Sequence, residues 1–388
     1  MSLTIWEDVG VPALRALVAS AQGGYADLEH AMWFRRADGF SSPDELQTGD
    51  VFQRAVVLET LSLAQRAGLV ACQEILDDGV EYLTRVRRPG DVGDFGGWSY
   101  FPGLPELAPD VDTLAQVLKV FVLNGRYDLI ERLVQPTLDH VEATAGPDGL
   151  CETWIVQEQS PLAGLQSWWA ANAWGTGADT EVVANLLHAL AHLDARRYGD
   201  WIARGKQALL ARTSDGLWES TWYHGPLYGT FVCTRVLCGV PAATLTRVCA
   251  SQRPDGGWGL SPDAPSDPLS TALALLTLGA APHCQPLDVR EAPNSRSEDV
   301  RGAPNPQPLP PRTGAGLGVG APSRLAVGAS LARGRAFLLD LSHTNRLVVA
   351  VPFIKMNVGR ARGLPGPILS FGSPTLTAAY VALAALPR

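Results

Sequence analysis

Four short loops along this chain end almost alike: Phe95-Gly96-Gly97-Trp98, Asp148-Gly149-Leu150-Cys151, Asp215-Gly216-Leu217-Trp218 and Asp255-Gly256-Gly257-Trp258. They recur at intervals of about 40 to 70 residues, the length of a helical hairpin, and such self-similarity signals stacked repeats. A glycine supplies the positive φ that ends a helix, and the aromatic after it packs back on the turn. Between the loops apolar residues recur at three and four spacing, as in Val117, Val120, Phe121 and in Val183, Leu186, Leu187, Leu190, which is the period of a helix. The spacing predicts helices over 10–20, 50–67, 70–88, 110–124, 127–145, 178–194, 198–212, 226–238, 242–251, 267–279, 325–341 and 374–386, with very little strand. About twelve helices in pairs suit a closed double ring. The expected fold is all-α: a single α/α toroid of about six helical hairpins.

Within the 388 residues, 46% of them apolar, one stretch differs from the rest. Residues 283–322 hold Pro286, Pro293, Pro304, Pro306, Pro308, Pro310, Pro311 and Pro322 and almost no large apolar side chain. That composition cannot offset the entropy of ordering, so it is expected to be a disordered insertion inside one barrel spanning 1–388. A net charge of −8 without a basic run argues against nucleic acid as a partner. The start MSLTIWEDVG lacks a basic region and an apolar core, and no run of about 18 apolar residues exists. Cys72, Cys151, Cys233, Cys238, Cys249 and Cys284 are scattered with no CxxC, as expected of reduced thiols in a cytoplasmic protein.

The stretch Pro109-Asp110-Val111-Asp112-Thr113 places two carboxylates two residues apart, before an apolar helical pattern. Like charges a few ångströms apart cannot both ionise cheaply, and apolar walls disfavour the anion further. A carboxylic acid kept neutral in such a pocket can protonate a very weak base such as an alkene. The same residues also suit a plainer role at a helix N-cap, satisfying orphan N–H groups.

Ser-Gln252-Arg-Pro-Asp-Gly256-Gly-Trp258 contains the Q-x3-G-x-W core of the QW motif and resembles the squalene–hopene cyclase and class II diterpene cyclase superfamily. In that family the Gln side chain ties consecutive hairpins together while the Trp stacks. The segment Trp222–Leu237, WYHGPLYGTFVCTRVL, is similar to the family's W-x-SP-x-Y-x-T stretch, and PDVDT to its DxDD acid motif. The likeness covers about residues 90 to 280, with an extension through Leu369–Leu386. Thr113 stands where the motif has a third acid, as in the DxDT variant of bacterial drimane-forming cyclases. Two-domain bacterial relatives carry a further helical domain before the acid motif, whereas 109 residues precede Asp110 here. The resemblance is therefore to a lone β-type barrel with its pocket in the barrel mouth.

The resemblance implies a class II, protonation-initiated terpene cyclase acting on a linear prenyl chain, a C15 or C20 diphosphate. Asp112 matches the proton donor, Asp110 would orient its proton, and Thr113 completes the motif. Aromatic faces stabilise a carbocation, and the candidates are Trp98, Tyr100, Trp154, Trp168, Trp169, Trp174, Tyr223, Tyr228, Phe231 and Phe371, with Trp168-Trp169 foremost. Each of these suits loop anchoring equally. A diphosphate would need cations, for which Arg85, Arg87, Arg88, Lys355, Arg360 and Arg362 are available, with Mg²⁺ as an optional counter-ion and no tightly bound cofactor; a place on the solvated surface is the plainer role of each. His188 and His192 lie four apart but lack a third ligand nearby, so no metal site is expected. The alternative is a non-catalytic barrel that binds a terpenoid or docks a partner. Contact with a membrane surface is compatible with either. The feature that separates them is whether Asp112 projects into an enclosed aromatic cavity or caps a helix at the surface.

Overall fold

The computed structural model describes residues 5–36, 39–40, 45–90, 95–280, 322–357 and 368–387. The expected Pro-rich insertion lies outside them, apart from Pro322. Thirteen α-helices of seven residues or more occur among the described residues: α1 Val11–Gln22, α2 Val51–Arg66, α3 Gln73–Arg85, α4 Val111–Leu123, α5 Gln135–Thr144, α6 Ala163–Trp169, α7 Thr180–Asp194, α8 Gly199–Ala211, α9 Leu227–Leu237, α10 Ala242–Ala250, α11 Pro268–Gly279, α12 Arg324–His343 and α13 Pro374–Ala385.

Six of these pack side by side in a closed circuit, α2 against α4, then α7, α9, α11, α13 and back to α2. They are buried all round: every residue from Val111 to Val122 and from Pro268 to Leu278 is buried. A helix apolar on all faces belongs inside a larger body. The others form the outer layer, such as α3, which buries one stripe of Leu76, Gly79, Val80 and Leu83. Outer helices come close where they carry glycine. A Cβ on Gly79 would lie 2.4 Å from Leu58, and one on Gly205 would lie 2.5 Å from Leu187. The expected α/α toroid is the observed fold.

The recurring loops hold the layers together in one repeated way. The indole N–H of Trp98 donates to the Leu83 carbonyl at 2.6 Å, that of Trp218 to Leu209 at 2.7 Å, and that of Trp258 to Val248 at 2.8 Å. In each case a buried loop tryptophan ties back to the preceding outer helix. At the fourth loop Cys151 replaces the tryptophan, and Trp201 from α8 donates to the Gly149 carbonyl instead at 2.9 Å. Gly149, Gly216 and Gly256 adopt φ of 80°, 79° and 89°, the conformation that makes glycine the residue of choice. Gln252 acts as the QW pattern implies: its amide donates to the Gly256 carbonyl at 2.8 Å and to Ser330 of α12 at 2.9 Å.

Two antiparallel hairpins were not legible as such. Strand β1, His30–Phe34, pairs with β2, Glu45–Gly49, and β3, Ile354–Asn357, pairs with β4, Ile368–Phe371. Ile354 bridges to Tyr223, so β3 lies over the end of the barrel where the inner helices begin. Helix α6 was also unforeseen, because its sequence AGLQSWW has no apolar stripe of helical period.

Candidate active site

Each inner helix starts at the same end of the barrel, and α2, α4, α7 and α11 have Asp50, Asp110, Asp179 and Asp267 at their N-caps. Asp110 accepts the backbone N–H of Thr113 at 2.7 Å through Oδ1 and the Thr113 hydroxyl at 2.9 Å through Oδ2. Asp267 repeats the first contact with Ser270 at 2.7 Å. Asp110 is thus a helix cap and Thr113 is its partner, so the plain reading of this motif holds for one of its two acids.

Asp112 is different. It sits in the first turn of α4, buried, with no backbone cap to serve. Its Oδ2 accepts the Tyr223 hydroxyl at 2.5 Å and its Oδ1 accepts the Asn185 amide at 2.7 Å. Burial pushes its carboxyl up to about 6, a rise that the hydrogen bonds from Tyr223 and Asn185 restrain. Burial likewise raises Asp110 to about 7, with the neighbouring Asp112 charge adding to the rise and the Thr113 N–H opposing it. The expected hydrogen bond from Asp112 to Asp110 is not the one observed. Both oxygens of Asp110 are engaged by Thr113, and the groups that orient Asp112 are Tyr223 and Asn185.

Both acids face an apolar cavity lined by Phe52, Tyr100, Trp154, Trp174, Trp222 and Tyr223, with Ile354 and Met356 of β3 also in its wall. Its free volume is about 50 Å³. Tyr100 is fixed by the Gln53 amide at 2.7 Å and by His30 at 2.9 Å, and burial holds His30 down at about 4, hence neutral. Trp154 reaches the wall because the loop 151–155 runs along the start of α4, with an isolated bridge between Asp110 and Trp154 and the Val111 N–H donating to the Thr153 carbonyl at 2.9 Å. Its ring meets Trp222 edge-on at 5.5 Å.

The aromatic candidates therefore divide. Tyr100, Trp154, Trp174 and Tyr223 line the cavity, and Tyr228 stands behind it, 4.0 Å from Tyr223 and hydrogen-bonded to Asn185. Trp98 is a buried loop anchor. Trp168 is 48% exposed, and Trp169 stacks on Phe40 at 4.0 Å rather than on the cavity. Phe371 stacks on His30 at 4.7 Å, and Phe231 lies toward the opposite end of the barrel.

The cation candidates do not converge. The guanidinium of Arg88 is taken up by the carbonyls of Phe101, Pro102, Leu104 and Leu107. Arg87 donates to the Leu133 carbonyl at 3.1 Å, and Arg85 lies over the Tyr82 ring. Lys355 alternates with cavity-lining Ile354 and Met356, which places it on the other face of the strand. Arg360 and Arg362 fall outside the described residues. No group of three His, Cys, Asp or Glu side chains that could hold a metal occurs among the described residues.

Four contributors were missed: Asn185, Trp222, Asp179 and Glu181. Asp179 accepts the Thr221 hydroxyl at 2.7 Å, the Trp222 indole N–H at 2.8 Å and the Thr153 hydroxyl at 2.8 Å. Glu181 accepts the Thr221 and Trp222 backbone N–H groups at 2.6 and 2.8 Å, and burial raises it to about 8. A signal was present, since Asp179-Thr180-Glu181 repeats the acid-x-acid pattern of Asp110-Val111-Asp112 at the start of the next inner helix.

Comparisons with known proteins bear on the fold. No family model matches the chain. Over 204 residues, 49% of this chain, it is 26% identical to a drimenyl diphosphate synthase of Streptomyces showdoensis, and the match covers 34% of that relative's length. Among solved structures it superposes on the type II terpene cyclase MstE from Scytonema with a TM-score of 0.60, at 18% identity over 97% of both chains. A variant of MstE solved in complex with geranylgeranyl dihydroxybenzoate, its substrate, superposes at 0.58 with 18% identity, over 97% of this chain and 98% of that one. A protein from Actinoplanes gives 0.57 at 17% identity, over 97% and 98%. The fold is that of the type II terpene cyclases.

Proposed function

We propose that this chain works as a single α/α barrel that cyclises a linear prenyl substrate by protonation, with Asp112 as the acid. One observation carries the reading: Asp112 is a buried carboxyl with a raised pKa, held by Tyr223 and Asn185 against a wall of aromatic rings. A general acid works best when its pKa lies near the working pH. The Asp112 proton adds to a terminal alkene carbon, the alkene π electrons form the new C–H bond, and a tertiary cation remains. The next alkene attacks that cation, a ring closes, and loss of a proton ends the sequence with an isomer of the substrate. Tyr223 and Asn185 stabilise the carboxylate left behind. Tyr100, Trp154, Trp174 and Trp222 offer π faces to the cation, each worth about 0.5 to 2 kcal/mol, and exclude water.

The free volume at Asp112 is far below the roughly 300–1,000 Å³ of ligand pockets. Substrate entry therefore requires displacement of β3, which carries Ile354 and Met356 over the cavity. A C15 or C20 diphosphate is the substrate class we favour: the drimenyl diphosphate synthase is named for a diphosphate, while the substrate of MstE shares the linear prenyl chain but carries a dihydroxybenzoate head. A cytoplasmic location belongs to the same reading, supported by the five described cysteines, all free thiols. The test is incubation with farnesyl and geranylgeranyl diphosphate in deuterium oxide, followed by extraction and mass spectrometry. A cyclic isomer carrying one solvent deuteron is expected. A product formed with loss of diphosphate and without deuterium would contradict protonation as the first step.

A further inference from the structure

The other end of the barrel, where the inner helices finish, holds a larger cavity of about 740 Å³, within the size range of small-molecule sites. Its walls are apolar, formed by Leu63, Leu123, Ile202, Leu276 and Leu383. Its floor is not. Glu59 accepts the Lys119 ammonium at 2.8 Å and pairs with Arg235 at 3.1 Å, so one carboxylate lies between two cations. Burial and the like charge of Arg235 push Lys119 down to about 8. His188 and His192 complete the floor, 3.1 Å apart, and burial with the nearby cations holds both well below the usual histidine range, so neither adds charge. Inner-helix C-termini around the mouth contribute partial negative charge, worth about 0.3–1 kcal/mol each and confined to the last turn. Lys119 lies deeper, in a desolvated floor where a full charge acts over a low dielectric and outweighs those partial charges.

We propose that this lower cavity is a second binding site, taking a single linear apolar chain with an anionic head, the chain along the walls and the head on the Lys119–Arg235 floor. The site is separate from the acid. Seven residues of α4 from Asp112 to Lys119 span about 10 Å, and the polar chain Asp112–Asn185–Arg235 fills the space between, the last contact being 3.0 Å. An occupant touching Arg235 therefore stands two hydrogen bonds from Asp112.

Dodecanoate, dodecanol and dodecyltrimethylammonium, each below its micelle concentration, are titrated calorimetrically into the full chain. The expected result is one dodecanoate per chain, at least about tenfold tighter than the other two. Ala203→Trp, at an exposed position of α8 on the cavity wall, should weaken dodecanoate by about tenfold or more with an unchanged melting temperature. Lys119→Met should erase the preference for the acid over the alcohol. Equal affinity for all three probes, an Ala203→Trp variant that binds like wild type, or no binding up to solubility would each overturn the site. Loss of binding in Asp112→Asn together with its retention in Ala203→Trp would place the ligand at the upper end and overturn it equally.

Discussion

The two ends of this barrel are built from the same six inner helices and differ in how each keeps charge. At the upper end the helices begin, four of their six caps are aspartates, and burial raises the Asp112 carboxyl to about 6 with a hydroxyl and an amide as its hydrogen-bond partners. At the lower end Glu59 is held as an anion by its pairing with Lys119 and Arg235. The difference follows from partners. A carboxyl beside Tyr223 and Asn185 has no cation in contact to hold it as an anion, whereas Glu59, equally buried, has two, and its pKa is lowered despite burial. Depth alone does not decide protonation in this core.

The most disruptive change expected is at the lower end. Glu59→Gln leaves Lys119 and Arg235 buried without their anion and should cost roughly 3 to 5 kcal/mol in chemical denaturation; a loss under about 0.5 kcal/mol would mean that the floor is hydrated and the contrast between the ends is false. Trp258→Ala removes a loop anchor that belongs to neither end and should also cost roughly 3 to 5 kcal/mol, with little change in turnover per folded molecule. At the upper end the effect of pH on stability runs the other way from an ordinary carboxylate. The folded Asp112 holds its proton up to about 6 while the unfolded one releases it near 3.8, so its contribution is complete below about pH 4 and disappears as pH rises through 6. Asp112→Asn should therefore gain stability over wild type at pH 7 to 8 and lose that advantage toward pH 4; melting curves across that range decide it. Thr113→Asp, tolerable if the wider family's third acid is the guide, is expected instead to destabilise, because it exchanges the 2.9 Å hydrogen bond to Asp110 for a second buried carboxyl. The smallest effect is at Tyr223→Phe, which removes one of two hydrogen bonds to Asp112 and should slow turnover about tenfold, equivalent to about 1.4 kcal/mol.

Much of the scaffold was legible because it repeats. Eleven of the twelve predicted helices have a counterpart whose ends differ by only a few residues, and the twelfth, 127–145, is broken into a short turn Tyr127–Leu129, a π-helical turn Ile130–Val134 and α5; inner and outer helices carry different apolar patterns and the glycine-containing loops punctuate them. Gln252 and Trp258 were legible for the same reason. The acid was legible from Pro109 to Thr113, but the distinction between its two carboxyls was not, because both have the same local sequence context and only the fold reveals that Thr113 occupies Asp110. The stripe Glu181, Asn185, His188, His192 on α7 was visible at helical spacing, yet the histidines read as stray residues without Lys119, Glu59 and Arg235 opposite them. Trp168 and Trp169 misled because adjacent residues on a helix point about 100° apart, so one faces solvent while the other stacks on Phe40. The covering strand β3 was not foreseen, and Lys355, one of the cations available to a diphosphate, is turned away from the cavity by the alternation of the strand.

The most direct test is the pH dependence of cyclisation for wild type and Asp112→Asn, with farnesyl and geranylgeranyl diphosphate as substrates and products extracted for mass spectrometry. Wild-type turnover should be highest below about pH 6 and fall about tenfold per unit above it, and Asp112→Asn should retain a folded barrel while losing activity by about 10² to 10⁴. An Asp112→Asn enzyme that cyclises at a near-normal rate, with the same pH profile, would show that the proton comes from another group and contradict the assignment of Asp112.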